Sequence, residues 1–321
     1  MAERKIVVLG TGGTLAGTSA DPQDNVDYCA AQLGIAQLLA AIPALATLPL
    51  VSEQVAQIDS KDMDDAVWTR LARCCRHWLE RPDVAGLVVT HGTDTLEETA
   101  YFLQAVLAPV KPVVLTCAMR PASALAPDGP QNIVDAITVV RWPGASGVVA
   151  VCAGGIHGAP DVRKQYTYRL DAFGSGDAGP IGYVEEGSLR LLRDWPGTVG
   201  AAPHAAAAAV FAGVVWPQVE IITSHAGASG RLVQSLVGAG VRGLVVAGTG
   251  NGTVHQALEQ ALLAAQAQGV QVLRTTRCAQ GQVIGSHAAF ETAHGLTPVQ
   301  ARIALQLRLL AATPVPPARA G

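Results

Sequence analysis

The chain has 321 residues, of which 50% are hydrophobic and 15% are charged, so it can bury large cores and resembles neither a disordered nor a fibrous sequence. This length exceeds one ordinary core and favours two domains. A formal net charge of -3 leaves no excess of positive charge for nucleic acid or an anionic membrane surface. We therefore expect a small-molecule partner and neither a nucleic-acid nor a membrane partner.

The start of the chain and its cysteines bear on location and cofactors. Residues 1–10 pass from charged residues directly into a predicted strand, without the apolar core of a signal peptide. The apolar runs 84–90 and 244–248 are too short to span a bilayer. The six cysteines are scattered and have neither the CxxC nor the Cys/His spacing of a metal site. We expect a cytoplasmic protein with reduced thiols, no metal and no cofactor.

Short β-branched apolar runs alternate with longer helical patterns along the chain. In chain order, the first series of predicted strands and helices comprises 5–9, 31–42, 48–58, 63–80, 86–89, 96–107, 112–117, 132–141 and 147–151. The second series comprises 219–222, 231–237, 243–247, 254–268, 270–274 and a final helix at 298–311. This alternation is typical of βαβ units and predicts parallel sheets.

These patterns predict an α/β protein of two domains. The larger N-terminal domain, 1–190, should contain a mainly parallel sheet flanked by helices, and the smaller C-terminal α/β domain should span 213–321. Residues 191–212 are interpreted as the connection, because this segment contains a Trp-Pro-Gly turn and an alanine-rich run broken by Pro203 and His204.

A glycine-rich segment, 10–17, follows the first predicted strand, where α/β sheets usually bind ligands. Its glycines do not have the GxGxxG spacing, and no Walker-type Lys-Ser/Thr follows, so phosphate binding is disfavoured. It offers two hydroxyls, on Thr11 and Thr14, within flexible backbone. Each hydroxyl could also simply cap a turn, and the residues alone leave both interpretations open.

Two other segments carry candidate chemical groups. In the segment 90–98, between a strand and a helix, Thr93, Asp94 or Thr95 could cap the helix or could form a catalytic cluster. Lys164 lies in a polar segment after the strand 147–151; a lone lysine is usually a solvated surface charge, but beside a buried hydroxyl its amine can take part in proton transfer. The residues alone decide neither case.

Taken together and in this order, these segments resemble the bacterial-type L-asparaginase family. The two longest matches are 11–17 and 91–103, and the resemblance extends from about residue 5 to residue 309. The shorter matches are Ser60 with Asp62-Met63, Ala118-Met119-Arg120-Pro121, Asp128-Gly129-Pro130, Asp161 with Lys164, and Gly250-Asn251-Gly252. The resemblance implies a larger and a smaller α/β domain and hydrolysis of L-asparagine to L-aspartate and ammonia.

The resemblance also implies residue roles. Thr11 matches the nucleophile that forms an acyl-enzyme, and Tyr28 matches a tyrosine on a mobile loop that closes over the site and helps to activate it. Thr93, Asp94 and Lys164 match a second group in which the lysine assists proton transfer through the threonine hydroxyl. The substrate-binding residues that it implies are Ser60, Thr93, Asp94, Ala118 and Asn251. We therefore expect the Lys164 amine within hydrogen-bond reach of the Thr93 hydroxyl, and a mobile segment at 12–28.

Members of the family usually form homotetramers built from intimate dimers, so the resemblance implies that assembly, with Asn251 contributed by the neighbouring subunit. The alternatives within the same motifs are a glutaminase-asparaginase of broader specificity and a subunit of a tRNA-dependent amidotransferase, which should carry an additional N-terminal domain. A non-catalytic amino-acid-binding module is the alternative from another class.

Two positions depart from the periplasmic members. Those members have glutamine where this chain has Lys61, and they bring a partner's glutamate into the site from a segment that here contains no acid before Glu291. We expect Lys61 to point to solvent, because two ammonium groups repel one another at close range. Glu291 could reach in from a shifted position; if it does not, Asp94 is the main carboxylate left for the substrate's α-ammonium, and we expect lower activity on glutamine than on asparagine.

Overall fold

The structure, a computed structural model, describes residues 3–196, 203–286 and 289–313. The chain forms two compact units, Met1–Gly200 and Ala201–Gly321. Each unit is an α/β arrangement, and the larger sheet belongs to the first. The predicted fold class, a larger mainly parallel sheet followed by a smaller α/β domain, is confirmed. The predicted boundaries at 190 and 213 stay predictions.

The first unit contains an eight-stranded sheet and a separate two-stranded one. Its strands are β1 (Lys5–Gly12), β2 (Leu50–Ile58), β3 (Val84–Thr90), β4 (Val113–Thr116), β5 (Val148–Cys152), β6 (Gly155–Gly158), β7 (Arg163–Lys164), β8 (Phe173–Gly174), β9 (Gly182–Glu185) and β10 (Ser188–Leu191). Its α-helices are α1 (Ile35–Ala40), α2 (Asp65–Leu79), α3 (Leu96–Leu107) and α4 (Gly129–Arg141).

The larger sheet has the strand order β10-β9-β6-β5-β4-β3-β1-β2. The strands from β2 to β5 pair in parallel, as the βαβ rhythm predicts. The inner strands are apolar and fully buried, with Val8, Val88 and Val149 each 0% exposed, because helices cover both faces of a parallel sheet. Their carboxyl ends therefore meet at one edge, where the candidate residues follow β1, β3 and β4.

An antiparallel extension on the other side of β5 is missing from the sequence prediction. β6, β9 and β10 pair antiparallel beyond β5. Two hairpins turn through two-residue loops, Ala153-Gly154 and Glu186-Gly187, in which every residue has a positive φ. Such loops match the twist of hairpin strands and favour a glycine at the second position, so an X-Gly pair between short apolar runs was the available signal.

The second unit contains a parallel four-stranded sheet in the order β11-β12-β13-β14. These strands are β11 (Val219–Thr223), β12 (Gly243–Gly248), β13 (Gln271–Thr276) and β14 (Glu291–Thr292). The helices are α5 (Pro203–Ala212), α6 (Arg231–Gly238), α7 (Gln256–Ala267) and α8 (Pro298–Ala311). Leu305 of α8 and Val245 of β12 belong to one apolar cluster, so α8 covers a face of this sheet.

Helix α5 falls within the predicted connection 191–212. Its residues Ala209 and Val210 are fully buried, and the helix packs against α8 of the same unit. Alanine is the strongest helix former, and proline is well tolerated at the first helical position, so Pro203 begins this helix rather than breaking it. Residues 197–202 of the predicted connection lie outside the described part of the chain. Among the described helices, none combines the length and apolar character needed to cross a membrane.

Buried His157 on β6 makes stability depend on pH. Burial, with a smaller effect of Arg193, lowers its pKa from 6.5 to about 4. Below pH 6.5 the unfolded chain therefore binds a proton that the folded chain excludes, and stability is lost as the pH falls from about 6.5 towards 4. The full effect of such a shift is about 3 kcal/mol.

Urea unfolding at several pH values should show a smaller loss of stability over this range for His157→Asn than for the unsubstituted protein. The exposed His77 provides the control: His77→Asn should keep the original pH dependence, and equal slopes for all three proteins would contradict the prediction.

Candidate active site

The loop after β1 packs directly on the loop after β3. Gly13 has a φ of +81°, and a Cβ at this position would lie 2.4 Å from the Cα of Gly92. Only glycine combines this backbone conformation with so close an approach. Gly13 of the first motif therefore brings the two loops into backbone contact.

Gly92 in turn packs on Ser60, which begins a short turn after β2. A Cβ on Gly92 would lie 2.4 Å from Ser60 Oγ. The Asp94 backbone N–H donates to Ser60 Oγ (3.3 Å), and Thr95 Oγ1 donates to the Ser60 carbonyl (2.8 Å). Three loops thus meet at Gly13, Gly92 and Ser60, and we call this the glycine contact.

Thr11 lies at the end of β1 and is 1% exposed. Its Oγ1 donates to the Thr90 carbonyl at 2.8 Å, so its hydroxyl is held against the neighbouring strand. Tyr28, expected to help activate Thr11, has its hydroxyl hydrogen-bonded to Thr14 Oγ1. Burial raises the pKa of Tyr28 above its usual 10.0, which keeps the phenol protonated at neutral pH. The role of Tyr28 in activating Thr11 stays a prediction.

The long segment between Thr11 and Tyr28 leaves and rejoins the fold through an antiparallel bridge between Thr18 and Cys29. Near its tip, Asp24 Oδ1 accepts from the backbone N–H groups of Val26 and Asp27. Residues 12–17 of this segment are buried, whereas 18–28 are exposed or half-buried and mostly polar. Its mobility stays a prediction.

Lys164 joins the second candidate group. Its Nζ donates to Thr93 Oγ1 at 2.8 Å and to Asp94 Oδ1 at 2.6 Å, so the contact between Lys164 and Thr93 that the sequence analysis expects is present. Thr93 is 6% exposed, whereas the side chain of Asp94 is 55% exposed. The group consequently has a buried hydroxyl and a carboxylate that reaches solvent.

Glu97 positions Lys164, a role that the sequence analysis missed. This residue lies in the first turn of α3, and its Oε2 accepts from the Lys164 backbone N–H at 2.6 Å. Burial raises the pKa of the Glu97 carboxyl, against the opposing effect of the hydrogen bond from Lys164. From sequence, an acid in a first helical turn is explained by the helix dipole alone, so the pattern gave no signal for this longer-range contact.

Ala118 and Asn251 belong to different units. Ala118 is 1% exposed and follows β4 in the first unit. Asn251 lies in the second unit, where its Oδ1 accepts from the Ile284 N–H at 2.7 Å and its Nδ2 donates to the Ile284 carbonyl at 2.9 Å. The amide of Asn251 therefore joins the loop after β12 to the segment that follows β13.

Lys61 and Glu291 both form ion pairs within their own surroundings. Lys61 is 64% exposed at the side chain and pairs with Asp59 at 2.6 Å, which confirms that it points to solvent. Glu291 pairs with Arg308 at 2.6 Å within the second unit. Among the described residues, no group of three or more histidine, cysteine, aspartate or glutamate side chains is arranged to hold a metal ion.

Comparison with known proteins gives consistent matches along the chain. The family model described as "Asparaginase, N-terminal" matches residues 5–196, and the one described as "Glutaminase/Asparaginase C-terminal domain" matches residues 218–316. The chain is 35% identical to the "Glutaminase-asparaginase" of Pseudomonas fluorescens biotype A, over 95% of this chain and 86% of that protein.

Two further similarities concern a curated relative and a solved structure. The chain is 36% identical to the "Probable L-asparaginase periplasmic" of Haemophilus influenzae, over 95% of this chain and 88% of that protein. Its fold is similar to the crystal structure of the "Probable Cytoplasmic L-asparaginase" from Campylobacter jejuni, with a TM-score of 0.89, 35% identity and 95% coverage of both chains.

The glycine contact predicts that alanine substitutions at two glycines have unequal effects on stability. In Gly92→Ala the new Cβ would lie 2.4 Å from Ser60 Oγ and 2.7 Å from Ser60 Cβ, so the loops must separate, and we expect a loss of about 1–3 kcal/mol in the free energy of unfolding. Gly34→Ala is the matched control, since its Cβ would meet nothing closer than 3.9 Å and its φ of -73° suits alanine. Urea unfolding of both variants measures the difference, and equal stabilities would contradict the packing argument.

Proposed function

The chain belongs to the asparaginase family, whose relatives are amidohydrolases, and we propose that it is an L-asparaginase with a threonine nucleophile. It would hydrolyse L-asparagine to L-aspartate and ammonia through an acyl-enzyme. One observation carries the proposal. The loop that follows the buried Thr11 packs through Gly13 on Gly92, and the loop of Gly92 also carries Thr93 and Asp94, which Lys164 contacts. Both hydroxyls thereby lie at one sheet edge, Thr11 at the end of β1 and Thr93 on the loop after β3.

In the first step, Thr11 Oγ1 attacks the carbon of the side-chain amide and loses its proton, which balances the proton that the amide nitrogen gains before it leaves as ammonia. Collapse of the tetrahedral intermediate expels ammonia and leaves the aspartyl group as an ester on Thr11, which water then hydrolyses. A threonine hydroxyl is a weak nucleophile at neutral pH and needs a neighbouring group to activate it. Tyr28 is our candidate for this activation, and it requires the phenol to exchange Thr14 for Thr11 when the loop closes.

Thr93 and Lys164 supply the second proton-transfer group. Because Lys164 Nζ donates to Thr93 Oγ1 at 2.8 Å, the hydroxyl hydrogen of Thr93 must point elsewhere. Its nearest acceptor, Asp94 Oδ1, is 3.5 Å away, too far for a strong hydrogen bond. We assign this hydrogen to the leaving amide nitrogen, with Lys164 restoring the proton.

Substrate recognition is assigned to Ser60, Thr93, Asp94 and Ala118. Asp94 Oδ1 accepts from Lys164, and Oδ2 is the oxygen that we assign to the α-ammonium. Ser60 Oγ accepts from the Asp94 backbone N–H, so its own hydrogen can be donated to the α-carboxylate. The backbone around Thr11 and Thr93, together with Ala118, would surround the amide and the oxyanion that develops on it.

The assembly and the compartment are also proposals. We infer a homotetramer in which Asn251 reaches the site of a neighbouring subunit. This assignment is compatible with its contacts to Ile284, because an amide oxygen accepts two hydrogen bonds and an amide nitrogen donates two. We infer a cytoplasmic protein from the relative of Campylobacter jejuni, whereas the relative of Haemophilus influenzae is named as periplasmic.

The second candidate function is a glutaminase-asparaginase, which the relative of Pseudomonas fluorescens favours. The preference for asparagine rests on the turn at Ser60, where Lys61 pairs with Asp59 and points to solvent. We expect this change to affect glutamine more than asparagine, because the same pocket has to hold the extra methylene of glutamine. A non-catalytic amino-acid-binding module is the remaining alternative, and it would bind asparagine without releasing ammonia.

Removal of the Thr11 hydroxyl should abolish hydrolysis without abolishing binding. We expect Thr11→Ala to reduce kcat for ammonia release from asparagine by at least about 10³-fold, because no nucleophile remains, while calorimetry still detects asparagine binding. Thr138→Ala is the control, since Thr138 only bonds the Val134 carbonyl within its own helix. Normal turnover in Thr11→Ala would exclude this nucleophile, and binding without turnover in the unsubstituted protein would favour the binding module.

Asparagine should be the better of the two amide substrates. Discrimination of one methylene is typically about 10- to 200-fold, so we expect a ratio of kcat/KM for asparagine over glutamine of at least that order. Measuring ammonia release from each amide at several concentrations gives the ratio. Near-equal values would contradict the assignment and would support the glutaminase-asparaginase.

A further inference from the structure

The imidazole of His91 lies directly behind the proposed site, and the proposed reaction assigns it no role. It is 0% exposed. Its Nδ1 lies 2.7 Å from the Gly92 carbonyl oxygen, and its Nε2 lies 2.9 Å from Thr99 Oγ1. Thr99 Oγ1 also accepts from Trp68 Nε1 at 2.9 Å. A continuous line of hydrogen bonds thus runs from Trp68 to the Gly92 carbonyl.

The direction of this line is fixed by what each group can donate. A carbonyl oxygen only accepts, so the Gly92 oxygen requires the hydrogen on Nδ1 of His91. Burial lowers the pKa of His91 to about 4, so the ring is neutral near pH 7 and carries a single N–H. Nε2 is therefore the bare nitrogen and accepts from the Thr99 hydroxyl, which itself accepts from Trp68, because an indole only donates.

The Gly92 carbonyl belongs to the peptide that ends in the Thr93 N–H. The described peptide bonds contain no cis bond, and in a planar trans peptide the N–H points opposite to the carbonyl. A donor that holds the carbonyl on one side therefore aims the N–H to the other side. A hydrogen bond to the carbonyl also polarises the same peptide and strengthens its N–H as a donor.

We infer that His91 is a positioning residue, which holds the Gly92–Thr93 peptide so that the Thr93 N–H faces the oxyanion that forms on the substrate amide. This inference rests on the proposed function, which assigns the backbone around Thr93 to the oxyanion. His91 acts through the peptide and does not touch the substrate. The chemistry that it serves is the stabilisation of negative charge on the carbonyl oxygen during attack by Thr11.

The far end of the line is anchored in the core. Trp68 belongs to α2 and is 4% exposed, and its ring stacks on Phe102 of α3 with the centroids 5.1 Å apart and an interplanar angle of 16°. Thr99 lies on the same helix as Phe102. The orientation of one active-site peptide is consequently set by the packing of two helices.

Two amide substitutions of His91 separate the positioning role from a general structural one. Asparagine places an amide N–H near the position of Nδ1 and keeps the bond to the Gly92 carbonyl, whereas glutamine places its terminal group near Nε2 and loses that bond. We expect His91→Gln to lower kcat for asparagine by about 10- to 100-fold with little change in KM, by analogy with the loss of an oxyanion donor. We expect His91→Asn to remain within about fivefold of the unsubstituted kcat, since its donor is retained.

A loss of the same size in both variants, or no loss in either, would overturn the inference. If the variants do not fold, the unsubstituted protein gives the decision, because ¹⁵N NMR of its histidines reports the tautomer. We expect the Nδ1–H tautomer for His91, and an Nε2–H tautomer would overturn the inference. Failure of the proposed function is distinguishable, since the unsubstituted protein would then release no ammonia from asparagine, whatever the tautomer.

Discussion

The close approach of Gly13, Gly92 and Ser60 is the constraint on which the proposed site depends. Atoms that a Cβ would approach to 2.4 Å leave no room for a side chain between the loops. The loops that carry the nucleophile, the proton-transfer group and the recognition serine are therefore positioned by backbone contact. Reacting groups held in this way lose little entropy when substrate binds, which is the physical basis of preorganisation.

Local patterns predict the parallel core but not the contacts across it. The alternation of apolar runs and helical periods gave the strands from β1 to β5, because each pattern is local. Lys164 and Thr93 are 71 residues apart, so their contact came only from the family resemblance. The antiparallel strands were missed although Ala153-Gly154 and Glu186-Gly187 mark their turns, and α5 was missed because Pro203 was interpreted as a breaker and not as a first helical residue.

The partners of Tyr28 and His91 show why the rest of the site escaped prediction. The loop conformation that brings the Tyr28 hydroxyl to Thr14 includes hydrogen bonds from backbone N–H groups to side chains in an exposed stretch, and no periodic pattern encodes it. His91 entered the sequence analysis only within the segments 90–98 and 91–103, without a role of its own. Its partner Thr99 lies on α3 and accepts in turn from Trp68 of α2, an arrangement that appears only in three dimensions.

The turn that follows β2 has a different character from the glycine contact. Ser60 faces inward, but the adjoining pair of Asp59 and Lys61 is exposed, and such a surface pair contributes about 0–1 kcal/mol to stability. Side chains in this turn can therefore change in length and charge while the loops around Ser60 stay packed. Substitutions are thus tolerated better at this turn than at the packed loops of the pocket. Directed evolution of amide preference should therefore find its usable positions at this turn.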